Sequence, residues 1–176
     1  MAGRNRPIYR VVPADPEHLC ALAAVERAAA QQFDAEDLGT DLATETTPIA
    51  ELAEARADGR LWVALADGQP VGFAFVRIVD GRGHLEELDV HPDHGRRGLG
   101  TRLLERALRW SGSRDLPGLT LTTFDHVAWN RPFYERRGFR RLEAPEPGSE
   151  LDRILAEEKR RGLRHRIAML HRGMER

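Results

Sequence analysis

At 176 residues, with a formal net charge of −1 and 41% hydrophobic side chains, the chain is sized for one domain with a substantial core. No apolar run approaches the ~20 residues that span a bilayer. The basic start at residues 1–7 lacks the apolar stretch of a signal peptide, and the single cysteine excludes an internal disulfide or a multi-cysteine zinc site. A soluble cytoplasmic protein, monomer or homodimer, is expected.

Residues 1–7 read as a flexible lead-in and 9–12 as a short strand. Asp15 caps a helix with Pro16 in its first turn, and Leu19, Leu22, Val25, Ala29 and Phe33 form its core stripe. Cys20, within this Ala/Leu stretch, reads as a small core residue. Thr47-Pro48 opens a second helix that stops near Gly59. Residues 61–66 and 71–79 read as strands joined by Asp67-Gly68, a strong hairpin signal. The strand at 84–90 ends before Pro92 and passes through a Gly/Arg loop into a helix. Leu99, Leu103, Leu104, Ala107 and Leu108 share one face of that helix, and Arg102, Arg106 and Arg109 the other. A strand at 119–123, a short helix in 129–137 and a strand at 140–143 follow. After the break at 145–148, Ser149 caps a helix to about 161, with Asp152 completing a partial capping box, and 166–171 is the last strand. The whole reads as one domain, 1–176, with 149–162 an extra helix before the final strand, in an α+β mixed-sheet arrangement.

The loop before the third helix is built for an anion. A helix N-terminus offers unpaired N–H groups, Gly95, Gly98 and Gly100 permit close approach, and Arg96 and Arg97 add charge. Gly95 and Gly100 have Walker A spacing, but Thr101 stands where lysine is required. A dinucleotide fingerprint would need glycine where Leu103 stands.

Gly95-Arg96-Arg97-Gly98-Leu99-Gly100 resembles instead the [Q/R]-x-x-G-x-[G/A] signature of the GNAT acetyltransferase superfamily, with Gly95 replacing the usual Gln or Arg. Trp129-Asn130-Arg131-Pro132-Phe133-Tyr134-Glu135-Arg136-Arg137-Gly138-Phe139 resembles the family's second motif, in family order. The resemblance implies the GNAT α/β/α fold, a central, mixed, mostly antiparallel sheet flanked by helices. It also implies acetyl-CoA as acyl donor, no metal, and direct acetyl transfer to a primary amine. On it, Leu88, Val90, Gly95, Arg96, Arg97, Gly98, Leu99, Gly100, Thr101, Asn130 and Phe133 are candidate coenzyme contacts. Asn130 stands four residues before Tyr134, whereas the family asparagine stands seven before, at Val127 here. Asn130 is therefore either a displaced coenzyme contact or the helix N-cap.

Amine acetylation needs a base for the ammonium proton and an acid for the leaving thiolate. Strand alternation places Glu86 with Leu88 and Val90, and Glu87 with Asp89 on the other face. The resemblance implies a carboxylate base on this strand, Glu86 first and Glu87 second, and Tyr134 as general acid. His84, His91 and His94 lack a metal-site pattern.

Charge is uneven: 17 acids and 8 arginines precede position 96, and 19 lysines and arginines against 11 acids occupy the rest. The basic half suits a polyanionic coenzyme. Its cations are interspersed with acids, as at 157–161, without a nucleic-acid-binding motif. Between Arg27 and Arg56 lie Asp34, Glu36, Asp37, Asp41, Glu45, Glu51 and Glu54 with no cation, which suits a cationic acceptor. Asp37 and Asp41 are the expected contacts, and Glu51 and Glu54 are expected on the exposed side of the second helix. A non-catalytic acyl-CoA-binding module, an acyl carrier using Cys20, and a protein N-terminal acetyltransferase are the alternatives.

Overall fold

The computed structural model describes residues 7–34 and 45–173. Residues 1–6 of the lead-in expected to be flexible at 1–7, and the acceptor candidates Asp37 and Asp41, lie outside the described residues. Strand β1 (Tyr9–Pro13) passes through a 3-10 turn at Pro16–His18 into helix α1 (Leu19–Ala30). The Asp15 N–H donates to His18 Nδ1 at 2.9 Å and fixes that entry. Helix α2 (Ile49–Ala57) precedes β2 (Leu61–Ala66), β3 (Gln69–Val79) and β4 (Arg82–Val90). Then come α3 (Leu99–Ser113), β5 (Leu119–Phe124), the short α4 (Asn130–Glu135), β6 (Arg140–Arg141), α5 (Glu150–Arg160) and β7 (Arg166–His171).

The strands form one sheet in the order β1-β2-β3-β4-β5-β7-β6. Every pair described is antiparallel except β4 beside β5. Asp67-Gly68 joins β2 to β3 and Asp80-Gly81 joins β3 to β4. All four residues have positive φ, as the tight primed turns of hairpins require.

Helices α1 and α2 cover one face of the sheet, packing on Leu61, Val63, Leu65, Phe73 and Phe75. Helix α5 covers the far end of that face, where Leu151 meets Val79 and Ala168. Its N-terminus is pinned by Asp80, whose carboxylate accepts from the Glu150 and Leu151 N–H groups at 2.9 and 3.0 Å. Helix α3 covers the opposite face through Leu99, Leu103, Leu104 and Ala107, packed with Leu121, Phe139 and Met169. None of the described helices is long and apolar enough to cross a membrane.

The ladders on either side of β4 are both irregular. The β4–β5 ladder runs only from Gly83↔Leu119 to Leu85↔Leu121 and stops, so beyond it the strands part. On its other side β4 carries a bulge: Phe75 pairs with Glu87 and Val76 with Leu85, leaving Glu86 without a partner.

Several sequence expectations change. Cys20 is exposed on the outer surface of α1 rather than in the core, and its neighbours Leu19 and Leu22 supply the buried stripe. Phe33 lies beyond the end of α1, half-buried, with its ring 5.3 Å from Phe124 and 5.0 Å from Trp129. The strand expected at 140–143 spans only Arg140–Arg141.

Candidate active site

The Gly/Arg loop takes the strand–turn–helix form that its sequence predicts. Val90 gives way to a 3-10 turn at Pro92–His94, and Arg96 (φ 55°) and Gly98 (φ 75°) take left-handed conformations before α3 begins. The Arg102 N–H donates to the Gly98 carbonyl at 3.0 Å. The N–H groups of Leu99, Gly100 and Thr101 precede that first helical bond and have no intrahelical acceptor. A side chain added at Gly98 would meet no protein atom within 4 Å. Arg97 lies 5.5 Å from the Tyr9 ring centre, and the Tyr9 hydroxyl is 3.1 Å from His94 Nδ1.

Opposite the loop stands a cation that the sequence motifs do not single out. Arg137 stacks on Phe133, 3.7 Å from the ring centre, and donates to the Thr101 hydroxyl and to the Phe133 carbonyl. Its sequence signal is a basic residue three positions after Tyr134, in the turn that follows α4. The Phe133 ring lies beside Gly100, where an added Cβ would sit 3.5 Å from it.

Loop and parted strands open into one cleft of about 1130 Å³. Leu88, Val90, Gly95, Arg96, Gly98, Leu99, Gly100, Thr101, Asn130, Phe133, Tyr134 and Glu86 all line it, so the structure gathers nearly every sequence candidate around one space. Arg97 does not line it and stands at its rim against Tyr9. His91 and His94 pack ring to ring at the loop, and His84 lies apart from them, buried on β4.

The bulge corrects the expected face of Glu86. Leu85 and Leu88 both join the core beneath α3, although three residues apart. Glu86 is turned toward the α1–α2 face, with Oε1 3.4 Å from Arg77 and Oε2 3.9 Å from His84 Nε2. It therefore shares a side with Glu87 and Asp89, whose register partners Phe75 and Phe73 belong to the α1–α2 core. Glu26 joins them from α1, its carboxylate accepting from the Thr47 N–H and hydroxyl at 2.9–3.1 Å. Its sequence signal is an acid set in the Leu22, Val25, Ala29 stripe. Glu51 also faces the cleft, 3.8 Å from Arg77, whereas Glu54 points outward to Arg60 as expected. The inward turn of Glu51 reflects its position one residue before buried Leu52.

These carboxyls sit close together away from water, and the charged form suffers. Burial raises the pKa of Glu86 and Glu26. Burial and then the Asp89 charge hold Glu87 well above the usual range, and Asp89 is pushed up to about 8 by burial and by Glu26. His84 is pushed down to about 4, chiefly by burial, and is neutral at ordinary pH.

Tyr134 approaches from the α3–α4 side, its ring 5.0 Å from Phe133 and 5.7 Å from Phe139. Burial, with the charge of Asp89 across the gap, raises its pKa, so the hydroxyl keeps its proton. Asn130 is the first residue of α4, preceded by Trp129 at the cap position, so the N-cap reading is wrong. Its Oδ1 accepts from the Thr123 hydroxyl at 2.8 Å, which ties α4 to β5.

Comparison with known proteins agrees with this geometry. The sequence profile of the Acetyltransferase (GNAT) family matches residues 23–139. The chain is 39% identical over 98 residues to mycothiol acetyltransferase of Nocardiopsis dassonvillei, covering 44% of this chain and 29% of that protein. It is 28% identical over 141 residues to the uncharacterized N-acetyltransferase YafP of Escherichia coli, covering 79% of this chain and 84% of that protein. In fold it is similar to PaiA N-acetyltransferase of Thermoplasma acidophilum, solved in complex with coenzyme A. That likeness has a TM-score of 0.67 and 15% identity, and covers 94% of this chain and 99% of that one.

Proposed function

The chain belongs to the GNAT acetyltransferase family, whose activity is acetyl-CoA-dependent N-acetyl transfer, and on that premise we propose that it acetylates the primary amine of a small cationic acceptor by direct transfer. The observation that carries the acceptor class is the group of carboxylates on the α1–α2 side of the cleft. Glu87 and Asp89 have no hydrogen bond or ion pair among the described residues, and Glu26 and Glu51 stand beside them. Burial favours the protonated forms of Glu87 and Asp89, and a cationic ligand seated beside them would draw them to ionise and supply the counter-charge that the described residues do not.

The two sides of the sheet divide the work. On the α3 side, the Leu99, Gly100 and Thr101 N–H groups, with Arg96, Arg97 and Arg137, receive the coenzyme's pyrophosphate. Leu88, Val90 and Phe133 line the path of its arm, with Asn130 beside it. The acceptor enters on the α1–α2 side. Between β4 and β5 the sheet is open, so donor and acceptor meet through it. Glu86 takes the ammonium proton, and its raised pKa brings it closer to that of the amine. Tyr134 holds its proton for the leaving thiolate.

The test is thiol release from acetyl-CoA with a panel of amines, each product identified by mass spectrometry. Polyamines, amino sugars and basic amino-acid derivatives should react best. Preference for neutral or acidic amines, or for peptide N-termini, would defeat the acceptor class. Coenzyme binding without transfer to any amine would defeat the enzymatic reading in favour of a binding module.

A further inference from the structure

At the bulge, one buried oxygen has no hydrogen-bond partner among the described residues. Glu86 Oε2 is sealed from solvent without a donor, and His84 Nε2 stands 3.9 Å away from it. What that nitrogen offers depends on its proton, and the other side of the ring decides the matter. His84 Nδ1 lies 2.9 Å from Thr120 Oγ1, and that oxygen lies 3.2 Å from the Gly83 carbonyl. A carbonyl only accepts, so the Thr120 hydroxyl proton belongs to Gly83 and the Nδ1–H donates to Thr120. The reverse assignment would leave two oxygens facing each other at 3.2 Å with no proton between them. Nε2 therefore carries a lone pair, aimed at a carboxylate oxygen that is also an acceptor.

Two buried acceptors face to face are one proton short of a hydrogen bond. We propose that His84 and Glu86 form one proton-accepting unit, in which His84 Nε2 accepts a hydrogen bond from Glu86 once that carboxyl has taken the acceptor's proton. The ammonium N–H bond breaks and an O–H bond forms on Glu86. The electron pair left on nitrogen attacks the acyl carbon, the C–S bond breaks with Tyr134 protonating the sulfur, and the second proton that the nitrogen sheds on becoming an amide restores the Tyr134 hydroxyl. Rotation about Cγ–Cδ brings the new O–H toward Nε2, and the 3.9 Å gap closes to about 2.8 Å. The proton later leaves to solvent. His84 acts through Glu86 and is a positioning residue.

The charged groups facing this pair are Glu87 beside Glu86 on β4, Arg77 from β3, Asp80 from the β3–β4 turn, Glu51 from α2, Glu158 from α5 and Arg166 from β7. Glu158 and Arg166 are bound to each other at 2.7 Å, which leaves Arg77 the main cation acting on Glu86.

The inference rests on the acetyl-transfer reading for its role but can be tested without turnover. His84→Gln puts an N–H donor where the lone pair stands and thereby favours the ionised carboxylate. In ¹³C-detected titration the Glu86 carboxyl should fall by about one pH unit in this variant. The acidic limb of kcat/KM should move down with it, and the plateau should drop about tenfold or more. An unmoved Glu86 titration overturns the proposal. If the variant does not fold, the ring-nitrogen ¹⁵N shifts of His84 in the unaltered protein decide: Nδ1–H supports the pair, and Nε2–H overturns it. Absence of turnover with the carboxyl shift intact would instead count against the acetyl-transfer reading alone.

Discussion

Replacing Asp89 with asparagine should make the ligand-free protein more stable at pH 8, although it alters the centre of the cleft. Asp89 lies near Glu87 and Glu26, with no cation paired to it among the described residues, and its pKa is pushed up to about 8 from an ordinary 3.8. The folded protein thus binds this proton more tightly than the unfolded chain does. Stability from that proton is fully present below the ordinary pKa and is lost as pH rises toward about 8. Four units at about 1.4 kcal/mol each set a ceiling of roughly 5–6 kcal/mol. Glu87 shares the titration and the carboxyl retains some solvent contact, so about 1–2 kcal/mol is the expected gain at pH 8. For a chain of this size that raises Tm by about 2–8 °C. Thermal unfolding followed from pH 4 to pH 9 measures it: the difference between Asp89→Asn and the parent should be near zero at pH 4 and widen to pH 8. A difference that does not change with pH, or a variant less stable at pH 8, would refute the reasoning that links burial, proton affinity and stability here.

Two other substitutions test the donor side. Gly98→Val forces a β-branched residue into a left-handed backbone and projects methyl groups into the cleft, so coenzyme affinity by calorimetry should fall by at least ~tenfold; unchanged affinity in a folded variant would count against the loop. Tyr134→Phe keeps the ring packing on Phe139 but loses the hydroxyl, so kcat should drop by ~10²-fold with coenzyme affinity little changed, and an unchanged kcat would remove the acid role.

The Gly/Arg loop and the order of elements were legible because their signals are local. Glycines at 95, 98 and 100, a strand before them and an apolar stripe after them fix strand, turn and helix together. The face of Glu86 was not legible. Alternation assigns it to the side of Leu88, and only the register against β3 reveals the extra residue that turns it over. Phe33 and Cys20 failed for a related reason. Helical spacing extends a stripe past the true end of α1 and cannot tell a small apolar neighbour from the buried face itself. Glu51, Glu26 and Thr47 depend on how α1 and α2 sit over β4, a long-range matter that no short window contains. The Arg137 stack on Phe133 was one helical turn away in sequence, but its meaning needed the loop on the other side.

The abrupt end of the β4–β5 ladder has a consequence of its own. Exposed strand edges are a hazard because their unpaired N–H and C=O groups invite other chains to add on. Here two such edges exist inside the sheet, facing each other past Leu85 and Leu121, with helices on both faces. A foreign strand with full side chains would have to clear those helices, whereas a thin extended molecule with amide groups of its own can lie along the gap. On the proposed acetyl-transfer reading, the break would act as a selectivity filter at the level of the backbone. It keeps open the hydrogen-bonding capacity that makes edges sticky, and it restricts that capacity to visitors slimmer than a polypeptide.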